Sequence, residues 1–381
     1  MDPWVRDHAA TIAADAERAL EALVAVSSPS GDVRGADECF ALCAALAPGA
    51  AAIERIPCSS PEHARDLVAR ITGTGTGRIV LLGHVDTVVA HDQHQPLRRH
   101  GDKLRGSGTV DMKGGVVLAL GVLRELAARP EAYAEVALLL VCDEEWRTAP
   151  FVHAARFEGF DACLCFEAGE TTPDGEEGVV VRRKGAGTLH VRAEGVAAHS
   201  GSAPHLGRNA LLALAAVAHA VATRHDPEGE HRLTAVPTVL HAGDAFNVVP
   251  PAGELFCDLR ADDATAFEAV LAAVPDEHAG VRLYAKLLRV WPGMDAFGPT
   301  AGVLERAGTA LGRPVHPRAR GGASDASHFA STIPVTIDGL GPRGGGAHNP
   351  GEFVTARTLH ERAEVALAVA LAALGAVDAP A

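Results

Sequence analysis

Short, uninterrupted apolar runs alternate with stretches of helical spacing along most of the chain. Arg78–Gly83 (RIVLLG), Glu135–Cys142 (EVALLLVC) and Ala162–Phe166 (ACLCF) are runs of the kind that a strand buried on both faces requires. Residues 1–26 and 34–47 and Lys113–Ala128 repeat their apolar positions at helical spacing. Strands separated by helices in this way predict an α/β domain: a mostly parallel sheet sandwiched by helices.

The pattern changes near Val179. Thr188–Ala193 reads as a strand, Gly207–Ala222 as a helix, Thr234–His241 and Gly253–Leu259 as two strands, Asp263–Val274 as a helix and Val281–Val290 as a strand. That β-α-β-β-α-β order predicts a ferredoxin-like unit with an antiparallel sheet. After Pro292 the helix-and-strand alternation resumes, with a helix over Thr300–Leu311, a strand over Pro334–Ile337 and a helix over Thr355–Gly375. The expected organisation is therefore a discontinuous domain of residues 1–180 and 292–381, with residues 181–291 inserted into it. The glycines Gly344, Gly345 and Gly346 predict a loop.

Composition narrows the class. With 381 residues, 48% of them hydrophobic, the chain is long enough for two domains and rich enough for a proper core. A net charge of −14 disfavours nucleic acid as a partner. The seven cysteines include no CxxC pair and several lie inside apolar runs, which predicts reduced core thiols and a cytoplasmic protein. The acidic N-terminal stretch lacks the apolar segment of a secretory signal, and the run Val365–Val377 is too short to span a bilayer, so no membrane partner is expected.

Chemistry collects where the apolar runs stop. In open α/β sheets, ligands bind outside the carboxyl ends of the strands. His84 and Asp86 follow the first run, Glu144 and Glu145 the second and Glu167 the third, while Asp111 follows a glycine-rich loop and begins a helix. With His348, this makes two imidazoles and three carboxylates that could hold two zinc-like ions, and Glu144 as a spare carboxylate that could act as a base. Taken singly, each has a plainer reading: His84 as a core histidine, Asp111 as a helix cap, the glutamate pair as solvated surface.

Longer motifs separate these readings. Gly83-His84-Val85-Asp86-Thr87-Val88, Gly106-Ser107-Gly108-Thr109-Val110-Asp111-Met112-Lys113-Gly114-Gly115 and Asp143-Glu144-Glu145 occur in that order. Cys165-Phe166-Glu167, Ala198-His199-Ser200-Gly201, Gly207-Arg208-Asn209-Ala210, Asn247-Val248-Val249-Pro250, Asp258-Leu259-Arg260, Gly321-Gly322-Ala323-Ser324-Asp325-Ala326 and His348 follow. Together they resemble the di-zinc family of carboxypeptidase G (glutamate carboxypeptidase), acetylornithine deacetylase, succinyl-diaminopimelate desuccinylase and the aminoacylases, over essentially the whole chain.

The resemblance implies a role for each position. His84 would bind one metal, with Asp86 orienting its ring. Asp111 would bridge both ions, through a cis peptide to Met112 of the sort the family shows. Glu145 and His348 would complete one site and Glu167 the other, holding two Zn2+, with Co2+ or Mn2+ compatible with the same ligands. Glu144 would be the general base and His199 the oxyanion donor. Arg260 and Asn247 would hold a substrate carboxylate, with Gly322 and Ser324 adding contacts. The inserted unit would be a lid and the surface of a homodimer.

The implied reaction is hydrolysis of a peptide or N-acyl bond next to a free carboxylate, as in carboxypeptidase G. The alternatives are an N-acyl amino acid deacylase and a dipeptidase. The small-molecule substrate would be an N-acyl amino acid or a short peptide. Two features depart from the family pattern. Trp146-Arg147-Thr148-Ala149-Pro150 follows the glutamate pair, and Arg182-Arg183-Lys184 forms a basic cluster that could attract an acidic substrate or simply face solvent.

Overall fold

The structure is a computed structural model and describes residues 1–376. It divides into two compact units. One comprises Met1–Arg182, Asp295–Ala319 and, within the described residues, the chain from Ser324 to Ala376; the other comprises Arg183–Met294 and Arg320–Ala323.

The first unit is built on a six-stranded sheet in the order Ala52–Ile56, Asp66–Thr72, Glu135–Val141, Arg78–His84, Ala162–Cys165, Thr336–Ile337. The three apolar runs lie side by side and parallel, with Leu81 opposite both Leu138 and Leu164. Their side chains are buried on both faces, which is why these segments are apolar without alternation. The expected mostly parallel sheet is present. At one edge two further strands run antiparallel, with Leu67 opposite Leu140 and Ile53 opposite Ala69.

These two strands escape a reading by pattern because their charges hide them. Asp66 is fully buried, yet its carboxylate accepts from the Cys142 amide at 3.1 Å and pairs with the His153 ring at 2.8 Å. Arg70 pairs with Glu135 of the next strand. Partners supplied by other elements make these polar residues acceptable at a sheet edge.

Helices Pro3–Val24, Gly114–Ala127, Phe297–Leu311 and Arg357–Ala373 share one core with this sheet. The last helix absorbs the C-terminal apolar run, and Ala363 through Ala372 are buried in it. Val377, the final residue of that run, lies outside the described residues. Among those described, no helix is long and apolar enough to cross a membrane. The glycine cluster departs from the expected loop: Gly344 and Gly345 pair with Val354 and Phe353 as a short strand. A Cβ on Gly344 would lie 1.9 Å from the Phe353 carbonyl oxygen, so only glycine allows that approach.

The second unit is a five-stranded antiparallel sheet in the order Thr234–Ala242, Ala252–Ala261, Gly185–Glu194, Val281–Trp291, Glu277–His278. Its first four strands reproduce the ferredoxin-like arrangement, in which the first strand lies between the third and the fourth. Helices Ala210–Ala222 and Ala266–Leu271 close over Leu189, Val191, Leu255, Cys257, Leu259 and Leu283. Inward residues alternate with outward ones along these strands, as expected of a sheet buried on one face only. Helices here are shorter than their sequence patterns; the segment expected to be helical over Asp263–Val274 is helical only over Ala266–Leu271.

Candidate metal centre

Three parallel strands end at one rim of the first sheet, and each delivers an acidic or imidazole side chain there. His84 is the last residue of its strand, Glu144 and Glu145 lie three and four residues past Val141, and Glu167 lies two past Cys165. Asp111 arrives separately, from a tight turn between Gly108 and the helix that starts at Gly114, rather than from the helix itself. Its peptide to Met112 is cis. The helix can begin close to Glu167 because residue 115 is glycine: a Cβ there would sit 1.8 Å from the Phe166 carbonyl oxygen. Lys113, fully buried in the same turn, donates to the carbonyls of Leu23 and Val26 at 3.1 and 2.7 Å and ties the turn to the end of the first helix.

Two groups of donor atoms result, each within 4.8 Å overall: His84, Asp111 and Glu167, and Asp111, Glu145 and His348. Asp111 belongs to both. Its Oδ1 lies 3.2 Å from His84 Nε2, and its Oδ2 lies 3.1 Å from His348 Nε2. Glu167 approaches His84 Nε2 at 3.6 Å, and Glu145 approaches His348 Nε2 at 3.2 Å. Glu144 belongs to neither group.

His84 Nδ1 is 3.0 Å from the backbone carbonyl of Asp86 and 3.4 Å from its carboxylate. Nδ1–H donation there leaves Nε2 turned toward the carboxylates, the arrangement usual for a metal-binding imidazole. The Asp86 carboxylate also accepts the backbone N–H groups of Glu144 at 3.3 Å and Glu145 at 3.1 Å. One side chain thus sets both the His84 ring and the glutamate pair.

The electrostatics fit a cation site. Burial disfavours charge on His84, but its hydrogen bonds to Asp111 and Asp86 prevail and raise it well above the usual imidazole range. Asp111 and Glu145 raise His348 to about 10. Burial pushes Glu145 upward, and burial with nearby carboxylates pushes Glu144 well up against the pull of His84. The carboxylates of Asp86, Asp111, Glu144, Glu145 and Glu167 are thus crowded around two imidazoles, with only bound protons to offset their repulsion. Divalent ions held by imidazole nitrogen and carboxylate oxygen would replace those protons and relieve the repulsion.

Beyond the ligands, sequence reasoning missed the groups that brace them. Arg147, noted only as a departure from the motif, is buried. It holds Asp143 at 2.8 Å and Asp325 at 2.7 Å, fastening the Glu144–Glu145 loop to the segment after Ser324. Ser60 donates to Asp143 from both its hydroxyl and its amide. Trp146, beside the glutamate pair, is 57% exposed. A third donor group, Cys58, Asp66 and Cys142, is engaged in local bonding, with Cys142 Sγ donating to the Ala64 carbonyl.

The remaining candidates divide between the units. Ser324, in the first unit, is buried and its hydroxyl donates to Asp338 at 2.6 Å. His199, Asn247, Arg260 and Gly322 belong to the second unit. His199 lies opposite Val248 in a two-residue ladder, and just beyond it the Ser200 amide donates to the Asn247 carbonyl. His199 is exposed, and its Nδ1 accepts from the amides of Gly201 and Ser202 at 3.1 and 3.2 Å, which places the ring proton on Nε2. Arg260 engages Asp258 through Nε and Nη2.

Each member of the basic cluster is bonded within the fold, although only Arg183 is buried. Arg182 pairs with Asp295, Arg183 is buried and donates to the Gly322 carbonyl, and Lys184 donates to the Arg232 carbonyl.

Two imidazole–carboxylate donor groups that share Asp111 at the rim of an α/β unit are suited to holding divalent metal ions. Residues 80–372 match the model of Peptidase family M20/M25/M40, and the chain belongs to that family. It is a metallohydrolase acting on amide bonds, in a family that binds metal ions. Carboxypeptidase G2 of Pseudomonas sp. (strain RS-16) is 28% identical over 303 residues, covering 74% of this chain and 71% of that protein. Succinyl-diaminopimelate desuccinylase of Xylella fastidiosa (strain 9a5c) is 32% identical over 318 residues, covering 74% and 80%. Among solved structures, an aminopeptidase from Bacillus cereus shares the fold with a TM-score of 0.74 at 20% identity, covering 95% of this chain and 98% of that one.

Proposed function

We propose that the protein is a di-zinc hydrolase that cleaves an amide bond next to a free carboxylate, in the manner that the name carboxypeptidase describes. The observation that carries this reading is the sharing of Asp111 between two donor groups, with Glu144 outside both. His84 and Glu167 would hold one ion, Glu145 and His348 the other, and Asp111 both; Co2+ or Mn2+ would suit the same donors. Bound there, the ions supply Lewis-acid polarisation of the scissile carbonyl and lower the pKa of water.

The chain's own residues do the rest. Glu144, its carboxyl raised by burial, takes the proton of the attacking water and returns it to the leaving nitrogen. His199, with its proton on Nε2, donates to the oxyanion. Asp258 occupies Nε and Nη2 of Arg260, and Nη1 remains to bind the substrate carboxylate together with Asn247.

The desuccinylase relative supports a second reading, an N-acyl amino acid deacylase, in which the same bond is cut and the acyl portion is what is recognised. A screen of metal-loaded protein against acyl-glutamates, succinylated amino acids and free dipeptides separates the readings. Amidating the substrate carboxylate is expected to lower kcat/KM about 10- to 100-fold in wild type and to have little effect in Arg260→Ala. Cleavage restricted to substrates with a free amine would instead make the protein a dipeptidase.

The second unit is also proposed to form a homodimer. Its edge strand exposes Val236 and Val239, and Leu206, Leu212 and Phe246 are more than half exposed, with Phe246 fully so. An open sheet edge with exposed apolar groups on and beside it is what a second copy would cover. Sedimentation should show a dimer that Val239→Glu with Leu212→Glu converts to monomer; a monomeric wild type would end this proposal.

A further inference from the structure

One buried acid beside the metal centre has no part in the chemistry proposed above. Glu352 is 2% exposed and lies four residues after His348. Its Oε2 accepts the Gly108 amide at 2.8 Å, and its Oε1 accepts the amides of Val110 at 2.7 Å and Asp111 at 3.0 Å. The Gly106 amide donates to its backbone carbonyl at 3.2 Å. One side chain therefore receives most of the inward-pointing donors of the turn that presents Asp111. Gly108 makes this convergence possible, with φ of 73°, in the left-handed region. Amides folded into such a concavity form a nest suited to an acceptor, and here a carboxyl group of the chain itself fills it.

The other end of Glu352 is equally constrained. Its amide donates to the Asn349 carbonyl, and the Asn349 amide donates to Gly346, closing the loop that carries His348. His348 itself has φ of 64°, so its backbone is held by its surroundings rather than by local preference. Immediately beyond Glu352, Phe353–Thr355 zips onto Lys103–Arg105, the strand that leads into the Asp111 turn. The two loops are thus hydrogen-bonded along a common seam, and Glu352 is at its end nearest the donor groups.

We infer that Glu352 is a positioning residue of the metal centre, clamping the Asp111 turn to the His348 loop so that a single carboxylate sets the geometry of both donor groups. The inference rests on the metal-binding reading proposed above. Because Asp111 is common to the two groups, a shift in its turn moves a donor away from both ions at once. Asp86 plays the corresponding part for the glutamate pair, so the centre is braced from two sides by carboxylates that are in neither donor group.

Glu352→Gln tests the clamp with little change of shape. In either orientation of the new amide, its NH2 faces at least one backbone N–H, so at least one of the three bonds is lost. Zinc affinity of the metal-stripped protein, measured by competition with a chromogenic chelator, is expected to fall about 10- to 100-fold for both equivalents. Amide exchange at residues 108–111 in the metal-free protein is expected to quicken.

A double-mutant cycle isolates the route of action. Asp111→Asn, unlike Asp111→Ala, keeps a side-chain oxygen and leaves a weakened site that can still be titrated at high zinc; in that background Glu352→Gln should change zinc affinity by no more than about twofold. A residue that merely stabilises the fold would instead show additive losses. Undiminished zinc affinity in Glu352→Gln, or additivity in the cycle, overturns the inference while leaving the metal reading intact. A wild-type protein that takes up no zinc overturns the metal reading and this inference with it. Should Glu352→Ala fail to fold, the Gln variant still decides the question.

Discussion

Asp111→Ala is expected to abolish uptake of both metal ions and to reduce turnover to background. The wild-type donor groups hold three residues each, and Asp111 is the one they share. Its removal leaves His84 with Glu167 on one side and Glu145 with His348 on the other. Two protein ligands per ion are fewer than the three that catalytic zinc sites retain. His84→Ala, by contrast, removes a donor from one group only and should spare the second ion. Metal content after dialysis, read by atomic emission for both variants, checks the pair of results. Two ions bound with wild-type affinity by Asp111→Ala would show that Asp111 is not shared in solution.

Glu144→Gln should keep both ions and lose the chemistry. Glu144 lies in neither donor group, and its backbone is held by Asp86, an interaction the substitution leaves untouched. Loss of solvent, with Asp325, Glu167 and Glu145 nearby, raises its carboxyl well above the ordinary value against the pull of His84. In its ionised form a carboxylate of raised pKa is the stronger base, and the amide that replaces it cannot accept the water's proton. The expected loss in kcat is about 10²- to 10⁴-fold, with KM and metal affinity nearly unchanged. Steady-state kinetics on an N-acyl amino acid, with metal content measured on the same samples, gives the answer. A variant with wild-type kcat would remove Glu144 from the mechanism.

The parts of the site that sequence reveals are those delivered by strands. A both-sided apolar run reports a buried parallel strand, and the residues just past its end must lie on the rim; His84, Glu145 and Glu167 are legible for that reason. The strand Asp66–Thr72 is not, because Asp66 and Arg70 read as loop residues until His153 and Glu135 are placed beside them. Arg182, Arg183 and Lys184 fail in the opposite direction. As a sequence they are a free basic patch, but each is bonded within the fold.

What the sequence determined by itself is local: the alternation that makes a parallel sheet, the switch of pattern that marks the second unit, and the kinds of donor at each strand end. These follow from periodicity and side-chain chemistry, which need no knowledge of neighbours distant in the chain. The motif resemblance already implied that Asp111 is shared, and the structure places it in both donor groups; only the tertiary structure decided that Arg147 and Asp86 brace the glutamate pair, and that Glu352 gathers three amides of the Asp111 turn. Each of those depends on hydrogen-bond geometry between segments far apart in sequence, and a buried polar group discloses its purpose only through the partner that satisfies it.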